Sequence, residues 1–296
     1  MRLRNNKYFN QNQIKKDTLI IIGNGFDRWQ GLNTGYFDFR DYYLAHRDEI
    51  LRRLRIKKRT IQYEDGRIID ISDVELIYGD PFQLKELEDD FWGSFESSLD
   101  KIDTDKINLF FGKDRQGLHE MKKSIRNANR ILREAFCQWI STIEIGKKNV
   151  EYTFGNNCLF INFNYTDTLL KRFGVCAEDE FHIHGEANDP KSIVIGHSTH
   201  PQLPEETLYR MGGRFRGLYF VEQILYETDK HVQDNIRLLC MFLAAKGAFP
   251  VDIKQVFVLG HSMSLPDIEY FAFLADATCK HDSSDVEEQE DKMCDN

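Results

Sequence analysis

The chain has 296 residues, of which 41% are hydrophobic, enough to bury a sizeable core as one large domain with an insertion. A net charge of −9 and a pI near 5.5 argue against a general nucleic-acid coat, because releasing counterions from phosphates needs clustered Lys and Arg. The basic stretches are local: Met1 to Lys16, and the run from Leu51 to Arg59, which reads as a solvated helix face in preference to an anionic contact.

At the N-terminus, Arg2 and Arg4 are followed by Asn5, Asn6, Lys7 and Asn10, where a signal peptide needs a continuous apolar stretch. Residues 1–17 are therefore expected to be a flexible N-terminus, and the protein to stay in the cytoplasm. No apolar run approaches the ~20 residues that span a bilayer, so no membrane partner is expected. The six cysteines, Cys137, Cys158, Cys176, Cys240, Cys279 and Cys294, include no Cys-x-x-Cys pair, which suits reduced thiols and offers no zinc ribbon.

Thr18 to Ile22 is a β-branched run ending abruptly in Gly-Asn-Gly, the pattern of a buried strand entering a tight turn. A helical insertion over about 40–150 should follow. Within it, Thr60 to Ser72 reads as a small hairpin turning at Asp65-Gly66. Leu84, Leu87, Phe91, Phe95 and Leu99 fall on one helical face, as do Met121, Ile125, Ala128, Leu132, Phe136, Trp139 and Ile143. Further strands are expected at Cys158 to Phe163, Glu180 to Ile183, Ile193 to Ile195 and Val256 to Leu259. Each is too continuous to be half exposed, so the fold class is α/β: a Rossmann-like parallel sheet with helices on both faces and a large helical insertion after the first strand. A second helical block, about 205–247, contains the spacing of Tyr219 to Leu243 and a loop with Gly212, Gly213 and Gly217, which fits either a lid or a plain long loop. The main α/β domain thus runs over 18–280, followed at 281–296 by an acidic, disordered tail.

In an open parallel sheet the loops leaving the carboxyl ends of the strands share one edge, and ligands bind there. These loops are Gly23-Asn24-Gly25-Phe26-Asp27, Asn164-Tyr165-Thr166-Asp167, His184-Gly185, Gly196-His197-Ser198 and Gly260-His261-Ser262. Two glycines between a strand and a helix let the backbone approach a ligand and present amides to a phosphate. The third glycine of the dinucleotide fingerprint is missing, which moves the turn away from a dehydrogenase. Asp27, which would repel a phosphate, caps the helix or bonds a ribose or amide group. Asn164 can hold a ribose hydroxyl or a water, or serve with Thr166 and Asp167 as a turn or cap residue. His184 suits a general base or a structural histidine. Strand alternation puts His182 on its face, a spacing that could bind metal, but no third ligand is suggested nearby beyond Glu186 and Asp189, and no metal is expected. Gly260-His261-Ser262-Met263-Ser264 resembles a nucleophile elbow with its last glycine replaced. A serine hydrolase at Ser262 is a remote alternative, since only His281 follows it; capping a helix near Pro266 or touching a ribose is the other role open to Ser262.

Leu19 to Asp27, with Gly31, Leu32, Thr34, Tyr36 and Phe39, resembles the opening of the bacteriophage abortive infection AbiH family. So do Trp92 to Glu96, Phe163 to Leu169, His182 to Gly185, Ile195 to His197, and Gly260 to Ser262 with Asp267, Tyr270 and Phe271. The resemblance implies a role in protecting a bacterial population from phage, with an unidentified phage or host trigger. It also implies further folded chain after Tyr270, where this sequence runs into Lys280-His281-Asp282-Ser283. Loss of the last strand there would leave a sheet edge prone to homo-oligomerisation. A more distant similarity runs to sirtuin-like NAD-binding proteins, in which an asparagine and a histidine serve NAD cleavage. By motif these are Asn164 and His184, with Gly23, Asn24, Gly25, Phe26, Asp27, Asp167, Gly185, Gly260, His261 and Ser262 around NAD or a related nucleotide. Here Thr166 separates Tyr165 from Asp167, and Asp27 stands where those proteins have a small serine. The zinc-binding cysteine pairs of deacetylating sirtuins are absent. The contrasting expectation is a non-catalytic nucleotide-gated sensor or toxin-like binding protein.

Overall fold

The computed structural model describes residues 15–62, 66–78, 110–111, 115–146, 153–189, 191–196, 230–248, 253–264 and 267–276. The helical face from Leu84 to Leu99, the Trp92 motif, His197 and Ser198, the Gly212 to Gly217 loop, most of the second helical block and the acidic tail lie outside them.

Strand β1 is Thr18–Ile22, with every residue buried. It pairs in parallel with β4, Cys158–Asn162, on one side and with β6, Gln255–Leu259, on the other. Beyond β4 lies β5, Glu180–His182, again parallel, so the sheet order is β5-β4-β1-β6. The chain thus builds outward from β1 through β4 to β5 and then returns to the opposite side of β1. The direction of crossover reverses at β1, where an open α/β sheet leaves a crevice at its carboxyl edge.

Both faces of the sheet are covered, which is why its central strands show no polar alternation. Leu19, Ile21, Leu159 and Ile161 pack under Val232, Leu239 and Leu243 of α6, Val232–Ala245, and under Tyr270 and Leu274 of α7, 268–276. Ile20, Ile22 and Phe160 pack against Phe26 of α1, Asn24–Trp29, and Leu169 of α5, Thr168–Phe173. The edge strand β6 departs from the sequence expectation. Val256 and Phe257 are exposed, because no further strand flanks β6 among the described residues.

Ile193 to Ile195 does not form the expected strand. Residues 184–192 are too few for a parallel crossover, which takes about a dozen residues or more. The chain instead doubles back at Gly185, and Val194 N–H donates to the His184 carbonyl at 3.0 Å. Ile193 packs into the insertion's core.

That insertion holds α2 (Tyr36–Leu54), the hairpin β2 (Arg59–Gln62) and β3 (Ile68–Ile71), α3 (Asp73–Tyr78) and α4 (Arg115–Ser141). Asp38 starts α2 by accepting the Gly35 N–H at 2.9 Å, a cap that satisfies a donor the helix itself leaves free. One face of α4, with Met121, Ile125, Ala128, Leu132, Phe136 and Trp139 at helical spacing, is buried with Phe39, Tyr43 and Ile50 of α2. The basic run is not one solvated helix face. Arg55 turns left-handed and ends α2, and Arg59 reaches the buried Asp73 at 3.0 Å.

Candidate functional site

The carboxyl ends of all four strands open onto one cavity of about 340 Å³. Of the residues singled out in the sequence, Asn24, Gly25, Asp27, Asn164, His184, Gly260, His261 and Ser262 line it; Gly23, Phe26, Asp167 and Gly185 do not. Asp167 stands at the head of α5 and pairs with Lys171 one turn on, at 2.9 Å.

The glycines bring two pieces of backbone together. A Cβ on Gly25 would lie 2.8 Å from the Gly260 carbonyl oxygen, and one on Gly260, at φ +67°, only 2.1 Å from Phe26 N. Gly23 N–H donates to Leu259 O, Gly25 N–H to Gly260 O and Phe26 N–H to Gly23 O. The amides expected to cradle a phosphate therefore hold the β1 turn to the end of β6, and only that of Asn24 lacks an acceptor among the described residues. Arg28 lines the same cavity and is exposed. At Gly185, φ +83°, the space that glycine leaves is taken by the Ser192 carbonyl rather than kept for a ligand.

The loop after β4 is locked from several sides. Asn162 Oδ1 accepts the Asn164 N–H at 2.8 Å, and the Asn164 side-chain amide donates to Gly23 O at 3.1 Å. The Asn164 carbonyl meets His182 Nδ1 at 2.9 Å, while His182 Nε2 lies 3.1 Å from Glu180. Burial alone would lower the His182 pKa, but both neighbours are acceptors and together they raise it. His182 is thus a strut between β4 and β5 and does not pair with His184.

His184 turns instead toward Asp267. Asp267 also receives Lys230, which is fully buried, at 3.0 Å, and has His261 Nε2 at 3.5 Å. The His184 Nε2 lies 3.3 Å from Asp267, without the alignment of a full hydrogen bond, and has no other partner among the described residues. Burial would raise the Asp267 carboxyl; the charge of Lys230 and the two imidazoles overturn this and hold it well below the usual range. Burial, then the adjacent Lys230, pushes His184 down to about 4. His184 is therefore neutral at physiological pH.

Asp27 is the second buried acid. Thr166 donates to its Oδ2 at 2.5 Å, and Oδ1 has no partner among the described residues. Burial pushes this carboxyl up to about 6 against the hydroxyls of Thr166 and Thr168.

The wall facing these polar groups comes from the insertion: Phe136, Trp139 and Ile140 of α4, with Tyr165 against Phe136 at 4.5 Å between ring centroids. Sequence reasoning placed Phe136 and Trp139 only in a helix core, and it missed Lys230 altogether. Asp267 was visible as part of a motif, but nothing in its neighbourhood reveals the lysine that meets it from 37 residues away. At Ser262, both nitrogens of the adjacent His261 are occupied, one accepting Met263 N–H at 2.9 Å and the other facing Asp267. The left-handed residues of that turn are Gly260, φ 67°, and Met263, φ 51°, not the serine a nucleophile elbow would strain.

Fold and site together define a parallel α/β protein with a polar, aromatic-walled pocket at the carboxyl edge of its sheet. The chain belongs to the bacteriophage abortive infection AbiH family, whose model matches residues 19–284, and this places it among proteins of phage abortive infection. No curated protein and no solved structure matches it significantly. No helix among the described residues is long and apolar enough to cross a membrane.

Proposed function

We propose that the strand-edge pocket binds a nucleotide and that, during phage infection, the protein hydrolyses NAD to nicotinamide and ADP-ribose. The observation that carries this reading is the meeting of Asn164, His184 and Asp27 with the aromatic wall of Phe136, Trp139 and Tyr165 in one cavity. Polar groups matched to a sugar then face rings matched to a base. At about 340 Å³ the cavity is near the small end of the usual ligand range, ~300–1,000 Å³. It suits a nucleoside-sized half of NAD, leaving the rest at the rim, where Arg28 and the Asn24 amide offer donors to phosphate. Asn164 positions the attacking water and the neutral His184 hydrogen-bonds to it. Water adds to the sugar carbon as the bond to nicotinamide breaks, the bonding pair leaves on nicotinamide, and a proton is released.

Purified protein incubated with NAD, alone and with a lysate of phage-infected cells, tests this reading. Nicotinamide should appear and should fall at least about a hundredfold in Asn164→Ala, a loss typical of a lost transition-state contact. No release under either condition would falsify cleavage, and full release by both Asn164→Ala and His184→Ala would overturn its assignment to this pocket. A non-catalytic nucleotide sensor is the second reading, favoured by the weak basicity of His184. Its mark is tight NAD binding with no turnover under any trigger.

A further inference from the structure

Asp27 carries one of the buried polar atoms of the pocket that find no hydrogen-bond partner among the described residues. The residue is 1% exposed and lines the cavity, yet among the described residues only one of its carboxyl oxygens has a hydrogen bond. Leaving a buried acceptor without a donor costs the desolvation of that group. The groups around it are few. From the loop after β4 and the start of α5 come the hydroxyls of Thr166 and Thr168, from the last turn of α5 the charge of Arg172, and from the head of β5 Glu180. Arg172 is itself engaged by the carbonyls of Gln30, at 2.6 Å, and Gly146, at 3.0 Å. Arg28, Tyr165, His184, His261 and Asp267 are the other charged or titratable residues that line the cavity.

We infer that Asp27, rather than His184, exchanges a proton with the ligand, its open Oδ1 receiving a sugar hydroxyl of the bound nucleotide; this rests on the nucleotide reading above. Thr166 already commits its hydrogen to Oδ2, and the partner missing at an ionised Oδ1 must be a donor, because a carboxylate oxygen only accepts. Phosphate oxygens offer only acceptors and repel a carboxylate. An aromatic base is better matched by the wall of α4, which leaves the sugar hydroxyl. His184 is held neutral beside Lys230, whereas the Asp27 carboxyl, at about 6, changes protonation close to neutrality, as acid–base work requires. In the cleavage proposed above, the hydroxyl proton moves to Oδ1 while the oxygen keeps the bonding pair. Negative charge then builds beside the sugar carbon as its bond to nicotinamide breaks. The proton returns to that oxygen once water has added, and the proton lost by the water leaves to solvent.

The test is a carboxyl-carbon NMR titration of the full chain with and without NAD, paired with calorimetric NAD binding over roughly pH 5 to 8, a range that brackets the expected titration. NAD should shift the Asp27 resonance, and wild-type binding should be linked to a proton titrating near 6. Asp27→Asn should flatten that pH dependence and weaken binding about tenfold. Thr166→Val, which removes the donor to Oδ2, should move the midpoint upward. If NAD perturbs Asn164 and His184 but not the Asp27 carboxyl, or if Asp27→Asn keeps the wild-type pH dependence, Asp27 is overturned and nucleotide binding stands. A midpoint unmoved in Thr166→Val also overturns it. NAD that perturbs no resonance overturns both.

Discussion

A carboxyl group buried against hydroxyls, with no cation bonded to it among the described residues, is a source of instability that the fold retains. For Asp27 the folded pKa, about 6, lies above the ordinary 3.8, so the folded state favours the protonated form. The associated stability is full below 3.8 and is lost as pH rises through about 6. At neutral pH the ionised group costs up to about 3 kcal/mol. Asp27→Asn should therefore raise the melting temperature at pH 8 relative to wild type and change it little at pH 4, as read by calorimetry at both pH values. An equal effect at the two would show that Asp27 is not held protonated by burial. His184 has the opposite sign: its pKa is lowered to about 4, so its contribution is present above 6.5 and fades as pH falls through about 4. One buried group thus disfavours high pH and the other low pH, within the same cavity.

At the scale of elements, the site depends on how closely the β1–α1 turn meets the end of β6. Gly260 needs both a left-handed backbone and the absence of a side chain, since a Cβ would fall 2.1 Å from Phe26 N. Gly31 also has a left-handed backbone, φ +81°, but faces open space. Gly31→Ala should cost about 1–2 kcal/mol through backbone strain alone, and Gly260→Ala clearly more. Urea denaturation of the two variants measures the difference, and equal midpoints would mean that the contact is not required. Continuous apolar runs made β1 and β4 legible in the sequence, because a strand buried on both faces has few polar positions, whereas β5, with Glu180 and His182, is only half-buried. Helical periodicity did the same for α4, whose predicted face is the buried one. Ile193 to Ile195 carried the same apolar signal without becoming a strand. Composition reports burial, and burial under the insertion looks the same as burial in a sheet.

Across the whole molecule, Lys230, His184, His261 and Asp267 join the segment before α6, the ends of β5 and β6, and the start of α7. Removing one partner of a buried ion pair leaves a charge without compensation. Lys230→Met should destabilise the fold by about 3–5 kcal/mol and let the His184 pKa rise, since Lys230, after burial and ahead of His261, is one of the three causes that lower it. Chemical denaturation and imidazole NMR report these separately, and a loss under about 1 kcal/mol would show that the pair does not hold these elements together. By itself the sequence determined the α/β class, the parallel strands and the edge on which the polar loops gather, because strand length, apolar continuity and loop position are local properties of the chain. The tertiary structure alone decided that the glycine-turn amides are engaged, that Asp167 faces away from the pocket, and that Lys230 and the aromatic wall of α4 complete it. Those outcomes depend on which distant backbones and side chains meet, and on how burial and neighbouring charge then shift Asp27 and His184 in opposite directions.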